Sequence, residues 1–336
     1  MGELFSMKTA DLGSFNLNLE SDRYKVEVKY HHDGREPVPF IEINAGNECF
    51  FNVEPYRGFD ISDFQYKNVK ISYLAPCGVQ HPNVFTYAPG NFQKHMFYGL
   101  LTTCGLENTG PDSCSQKSNE FVSQHGSLNY SAAKDIDIKT DDETIYLRAK
   151  IEGNQYYKQQ LVLERTISYS IIDRSLKIND TVKNVGMDKE QVCLMYHFNF
   201  GSPFLSPDCK ITIPYKSAAP KDEYAQTRIE ELLTVCPSSD EERPHVFYLE
   251  FPKEEYHKIQ LENMQLHLRL NIISKSDNLP FVDIWKCFQK KQYVMAVEPC
   301  NAFPYGRHEQ RRRKTAEIIA SGKTKNYYTE ILVEEL

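Results

Sequence analysis

The chain has 336 residues, 40% of them apolar and 25% charged, the composition of an ordinary globular protein rather than a disordered or membrane-spanning one. Its formal net charge of −7 has the wrong sign for a general nucleic-acid binder, whose affinity rests on neutralising phosphates. Nine scattered cysteines without CxxC spacing, an opening stretch unlike a secretory signal and no long apolar run imply reduced thiols, no structural zinc, no membrane partner and a cytoplasmic location.

With 21 Tyr and 19 Phe, the chain is rich in residues that suit pleated, half-buried surfaces. Period-two alternation predicts strands, in chain order, at 25–30, 68–74, 144–151, 160–172, 175–182, 210–215, 245–251, 265–273 and 327–333. Turn chemistry separates them at Asp33-Gly34, Asp141-Asp142, Asp173-Arg174, 184–186 and 276–278. The Asp33-Gly34 signal makes His31 and His32 exposed hairpin residues rather than metal ligands. Helix is expected only at 227–234 and within 307–320, where Arg311, Arg312, Arg313 and Lys314 form a solvated basic face or an extended loop. The acidic, proline-flanked stretch 236–244 is a surface loop. No GxGxxG opens a helix, no P-loop lysine motif occurs and no repeat stands out. The pattern predicts an all-β chain: residues 1–336 as one large antiparallel sandwich or closely related double-sheet barrel.

Polar residues interrupt apolar surroundings in a few segments, and such residues must find partners, water or work to do. They are 54–61 (EPYRGFDI), 99–110 with 124–133, 193–205 (CLMYHFNFGSPFL) and 293–301 (YVMAVEPCN). His197 follows the apolar run 192–196, where a lone histidine is more often a satisfied core residue than a catalyst. Glu298 follows the apolar run 294–297 and should be largely buried, which glutamate seldom is without a partner. A salt bridge to Arg57 or Lys286 is the structural reading of that burial. The functional reading is a general acid and base near neutral pH, because burial raises a Glu pKa and small environmental shifts move a His pKa. Such a pair suits glycoside chemistry, isomerisation or proton abstraction equally.

Five motifs in order resemble the aldose 1-epimerase (galactose mutarotase-like) superfamily, and more closely a bacterial branch of it. They are Arg57-Gly58-Phe59-Asp60, the GLLTTCGLENTG segment 99–110, His125-Gly126, the YHFNFGSPFL segment 196–205, and Trp285-Lys286 with Glu298-Pro299-Cys300-Asn301. The resemblance spans roughly residues 50 to 310 and implies a large antiparallel β-supersandwich with a sugar site on one open face. It implies that His197 protonates the sugar ring oxygen and Glu298 takes the anomeric hydroxyl proton, with His125 contacting the sugar. Arg57, Asn199, Lys286 and Asn108 complete the implied substrate-binding set. No metal or redox cofactor is implied, and the partner is a small carbohydrate bound by a monomer or homodimer. Many mutarotases carry an arginine where 99–106 has threonines and Cys104; Arg57 is the substitute for that charge, or Lys286 for an acidic sugar. Asp283 and Asp60 both stand as counterparts of the sugar-binding aspartate. Cys104 has no paired base and reads as a small apolar contact.

The leading expectation is therefore an isomerase that interconverts sugar anomers. The alternative from another class is a non-catalytic carbohydrate-binding or sugar-sensing protein on the same fold. A glycosidase or lyase is a third, but a glycosidase would show two opposed carboxylates where the sequence displays only Glu298.

Overall fold

The computed structural model describes residues 3–7, 17–32, 36–46, 48–115, 120–154 and 159–336. Among the described residues, strands form a thirteen-stranded sheet and a nine-stranded sheet, with two small two-stranded ladders. The smaller of the large sheets runs, edge to edge, Glu3–Met7, Ala133–Thr140, Thr144–Asn154, Gln160–Ser170, Ser175–Asn184, Thr324–Glu335, Leu268–Lys275, Tyr256–Asn263 and Cys209–Thr212. The larger runs Ser217–Pro220, His245–Glu250, Phe281–Gln289, Gln292–Cys300, Glu190–Gly201, Leu101–Leu106, Asp60–Tyr66, Cys49–Glu54, Pro37–Ala45, Tyr24–His32 and Asn18–Glu20. Pairing along both is antiparallel. One apolar core, contributed by both sheets, fills the space between them. The all-β antiparallel sandwich read from the sequence is the architecture of the chain.

Two kinds of strand coexist, for a physical reason. Strands such as Ala133–Thr140 and Thr324–Glu335 alternate buried and accessible residues, the mark of a sheet with one wet face. Glu190–Gly201 and Leu101–Leu106 are buried almost throughout, because loops cover the outer face of the larger sheet. The first kind announces itself by alternation and the second does not. Several central strands, including Cys49–Glu54, Leu101–Leu106 and Phe281–Gln289, therefore lie outside the predicted set. The predicted segment 68–74 splits into Val69–Lys70 and Tyr73–Leu74. Helix appears at Glu223–Thr227, a turn earlier than expected and capped by Asp222, whose side chain accepts from the Ala225 N–H. The charged segment is helical only over Arg307–Arg313; Lys314, left-handed with φ 59°, ends it, and Glu317–Ile319 returns to strand. Glu309 pairs with both Arg312 and Arg313 on the same helix. The Asp33-Gly34 turn lies outside the described residues.

Both sheets are tied together by buried charge as well as by apolar packing. Arg165, from Gln160–Ser170, donates to Asp180 in its own sheet and, across the core, to Asp60 in the other, with Nη–O distances of 2.7 Å to each. Tyr196 OH donates to Asp180 at 2.8 Å, and Thr103 donates to Asp60 through both its hydroxyl and its N–H. Every charged oxygen in this cluster has a donor.

Candidate active site

A cleft of about 550 Å³ opens on the outer face of the larger sheet. Period-two geometry decides what enters it. Tyr196 and Phe198 point into the core, so His197 between them faces the cleft. Val282, Ile284 and Val297 likewise belong to the core, which turns Asp283, Trp285 and Glu298 outward. Asp283 and Glu298 lie directly opposite each other on paired strands. His125 comes from the loop after the short strand Phe121–Val122, in left-handed backbone with φ 56°. The sequence-predicted set His125, His197 and Glu298 thus meets in one cleft.

The Nε2 of His197 lies 3.2 Å from Oε1 of Glu298, but off the hydrogen-bond axis, so neither atom is committed to the other. Both side chains are nearly inaccessible, at 5% and 4% exposure. Burial penalises each charged form: it pushes the Glu298 carboxyl up to about 8 and the His197 imidazole down to about 3. Asp283 is fully buried and neither of its oxygens has a partner. Burial and then the neighbouring Glu298 raise it well above the usual carboxylate range. His125 is held neutral by burial and by His197; its Nδ1 accepts from the Gly110 N–H at 3.3 Å, which leaves the ring proton on Nε2. His197 sits edge-on to His125, Tyr98 and Trp285, at centroid distances of 6.2, 6.0 and 5.9 Å. Tyr98 stacks on Trp285 at 5.6 Å and 12°, giving the cleft a flat aromatic wall. Lys221 lies exposed at the mouth and forms no ion pair with either carboxyl.

Four expected binding residues are placed elsewhere. Arg57 is fully buried; it donates to the carbonyls of Gln80 and His95 and lies 4.4 Å from the Tyr130 ring. Its charge stitches a loop and does not reach the cleft. Lys286 shares the parity of Ile284, so it faces inward, where its ammonium donates to the carbonyls of Glu231, Leu232 and Thr234. Burial pulls that ammonium down to about 8. Asn108 braces the adjacent loop, donating to Pro111 and Ser123 carbonyls and accepting from the Arg307 N–H. Asn199 turns back to the carbonyl of His197 at 2.8 Å. The salt bridge expected between Glu298 and Arg57 or Lys286 is absent among the described residues; His197 stands in that place.

Sequence reasoning also left residues unclaimed. Of the two aspartates it offered, Asp60 belongs to the Arg165 cluster and Asp283 to the cleft. A second carboxyl group, Asp283, therefore lines the cleft on the strand paired with that of Glu298, so Glu298 does not stand alone as the sequence suggested. Trp285 was visible only as part of the Trp285-Lys286 motif; its place two residues after Asp283 on one face comes from the strand Phe281–Gln289. Tyr98, in left-handed backbone with φ 66°, and Lys221 carry no local signal for the site. Cys104 packs with Met195 and Cys300 as a small apolar contact, on the same outer face of the sheet as His197 and Glu298.

The fold is the galactose mutarotase-like one. Similar architecture occurs in a candidate aldose 1-epimerase from Klebsiella pneumoniae, with TM-score 0.91 and 18% identity over 99% of this chain and 91% of that one. It recurs in a galactose mutarotase-like protein from Clostridium acetobutylicum, TM-score 0.69, 12% identity, covering 94% of this chain and 100% of that one. A galactose 1-epimerase from Lactobacillus acidophilus gives TM-score 0.60 and 14% identity over 94% and 99% of the two chains. At these identities the likeness establishes the fold. Residues 35–333 match the family described as a domain of unknown function (DUF4432), and the chain belongs to that family. Comparison with curated proteins finds no match. No helix among the described residues is long and apolar enough to cross a membrane.

Proposed function

We propose that the protein is an aldose 1-epimerase-like isomerase that interconverts the anomers of a reducing sugar. The observation that carries this reading is the His197–Glu298 couple, 3.2 Å apart, buried, and facing a sugar-sized cleft with an aromatic wall. Between about pH 3 and about pH 8 the couple holds one proton, which rests on Glu298 as a carboxylic acid beside a neutral imidazole. The same single proton on His197 gives an imidazolium and a carboxylate, which is the reactive arrangement. Glu298 then takes the proton of the anomeric hydroxyl as the C1–O5 bond breaks and C1 becomes an aldehyde carbonyl. His197 delivers its proton to O5. Rotation about C1–C2 exposes the other face, and reclosure runs both transfers backward, returning the couple to its starting charge. His125 presents an Nε2–H donor to the ring, and the Tyr98–Trp285 wall stacks on its apolar face.

The test is NMR exchange spectroscopy between α and β anomers across a panel of reducing sugars. Wild type should accelerate exchange of at least one sugar above its spontaneous rate. A sensor or binding protein would bind without accelerating any, and that outcome defeats the enzyme reading.

A further inference from the structure

The cleft holds more acid than the ring-opening step requires, and that excess has a chemical meaning. Resting on the mutarotase reading of this same site, we infer that the substrate is an amino sugar: a 2-amino-2-deoxy aldose whose ammonium group sits between Asp283 and Glu298. Three buried acceptor atoms, both oxygens of Asp283 and Oε1 of Glu298, have no hydrogen-bond donor. Asp283 is 0% exposed, on the cleft face of its strand, and contributes to the cleft wall. Unpartnered buried acceptors of this kind cost a protein stability unless a ligand supplies the donors. An ammonium brings three N–H donors and a positive charge in one group, whereas a hydroxyl brings one donor and no charge.

Position along the sugar follows from register. Asp283 and Glu298 are directly opposed cross-strand neighbours, so their side chains act on adjacent points of a ligand. With Glu298 at the substituent on C1, Asp283 is assigned the neighbouring substituent on C2. No buried cation sits between the carboxyls: Arg57 and Lys286 are spent on backbone carbonyls, and Lys221, whose charge acts on both carboxyls, is exposed at the mouth and ion-paired with neither. A positive charge between the carboxyls also favours their ionised forms, so the Glu298 proton moves to His197 and the reactive arrangement is populated by the substrate itself. N-acetylation removes the charge and adds bulk, and both changes act against binding.

The experiment compares D-glucosamine and D-galactosamine with their parent aldoses and N-acetyl derivatives, by calorimetric binding and by NMR anomer exchange. Wild type should show kcat/KM and affinity at least about tenfold higher for the amino sugars. In Asp283→Asn the preference should shrink to within about threefold. If wild type turns over the parent or N-acetyl sugars as well as the amino sugars, the amine assignment falls and the mutarotase reading stands. If amino sugars bind preferentially but no sugar is exchanged, the mutarotase reading falls and the amine site stands. Absence of both binding and exchange overturns both. Full retention of the preference in Asp283→Asn removes Asp283 from the assignment. Should that variant fail to fold, the wild-type comparison decides alone.

Discussion

Two buried acidic clusters lie on opposite faces of the same strand, and they are finished differently. Tyr196, pointing into the core, joins Asp60, Asp180 and Arg165 in a network where every carboxylate oxygen has a donor. The next residue, His197, points outward to Glu298 and Asp283, where three carboxyl oxygens have none. In the first cluster a guanidinium restrains Asp60, whose carboxyl burial raises only to about 6. In the second, burial carries Glu298 up to about 8 against only the opposing charge of Lys221, which is exposed at the mouth. The open pair is the one that lines the cleft.

The largest effect should come from attacking the open cluster. Glu298→Gln keeps the shape but removes basicity, and His197→Ala removes its proton partner; each should lower anomer exchange by about 10² to 10⁴-fold. Glu298→Gln should at the same time leave the thermal midpoint unchanged or raise it, since a desolvated ionisable group is replaced by a neutral one. If both variants match an active wild type in NMR exchange, the roles given to these residues are wrong.

The satisfied cluster should respond the other way. Arg165→Met strands Asp60 and Asp180 without their counter-charge, and breaking a buried pair in this manner costs about 3–5 kcal/mol. Urea unfolding should register that loss, while surviving folded protein keeps its anomer exchange. A loss below about 1 kcal/mol would show that the tie between the sheets is not the energetic feature it looks to be.

The pH dependence sharpens the contrast further. Glu298 is raised on folding from 4.5 to about 8, so its contribution is fully present below pH 4.5 and is lost as pH rises through about 8. Wild-type stability should therefore fall across that window with a slope of up to about 1.4 kcal/mol per pH unit from this group. In Glu298→Gln the slope should be flatter, so the variant gains on wild type between pH 5 and pH 8 in urea titrations. Asp60 acts in the same direction over a narrower window, from 3.8 to about 6. Anomer exchange of a neutral sugar should hold a plateau and decline above about pH 8, where the couple loses its one proton. The other ionisable groups around the carboxyls, namely Lys221, Tyr98, Tyr248, Tyr305, Cys104 and Cys300, are either exposed or raised by burial, so the Glu298 limb should dominate. A rate that climbs above pH 8 would move the active proton elsewhere.

How much of this was legible depended on the kind of signal. His197 and Glu298 were readable because each follows an apolar run, His125 only through its HG motif, and five motifs in order implied roles for all of them. The half-wet strands were readable through alternation, whereas the central ones lose that signal because the core covers one face and loops the other. Arg57 and Lys286 were misplaced because a positive charge beside a glycine turn or a tryptophan looks like a ligand for an anion. Only the fold shows that backbone carbonyls use both charges. Asp283 needed register: which face it takes, and that Glu298 stands opposite, is fixed by pairing with Gln292–Cys300 and not by local sequence.

The smallest expected effect tests that last distinction. Lys286 and Trp285 are adjacent in sequence but face opposite sides of one strand, Trp285 to the cleft and Lys286 to the carbonyls of 231, 232 and 234. If Lys286 contacted an acidic sugar or paired with Glu298, Lys286→Met would remove a binding charge and shift exchange markedly. The geometry predicts otherwise: stability should drop by about 1–3 kcal/mol as three carbonyls lose a charged donor. Exchange kinetics of the folded variant should stay within about twofold of wild type, because the two sites share no partner. Trp285→Ala, one residue away, should by contrast weaken sugar binding through loss of a stacking surface worth about 1 kcal/mol, or roughly fivefold in Kd. Calorimetry and NMR exchange on the two neighbours decide the matter: similar losses of binding in both would mean that strand parity does not separate the cleft from the core at this position.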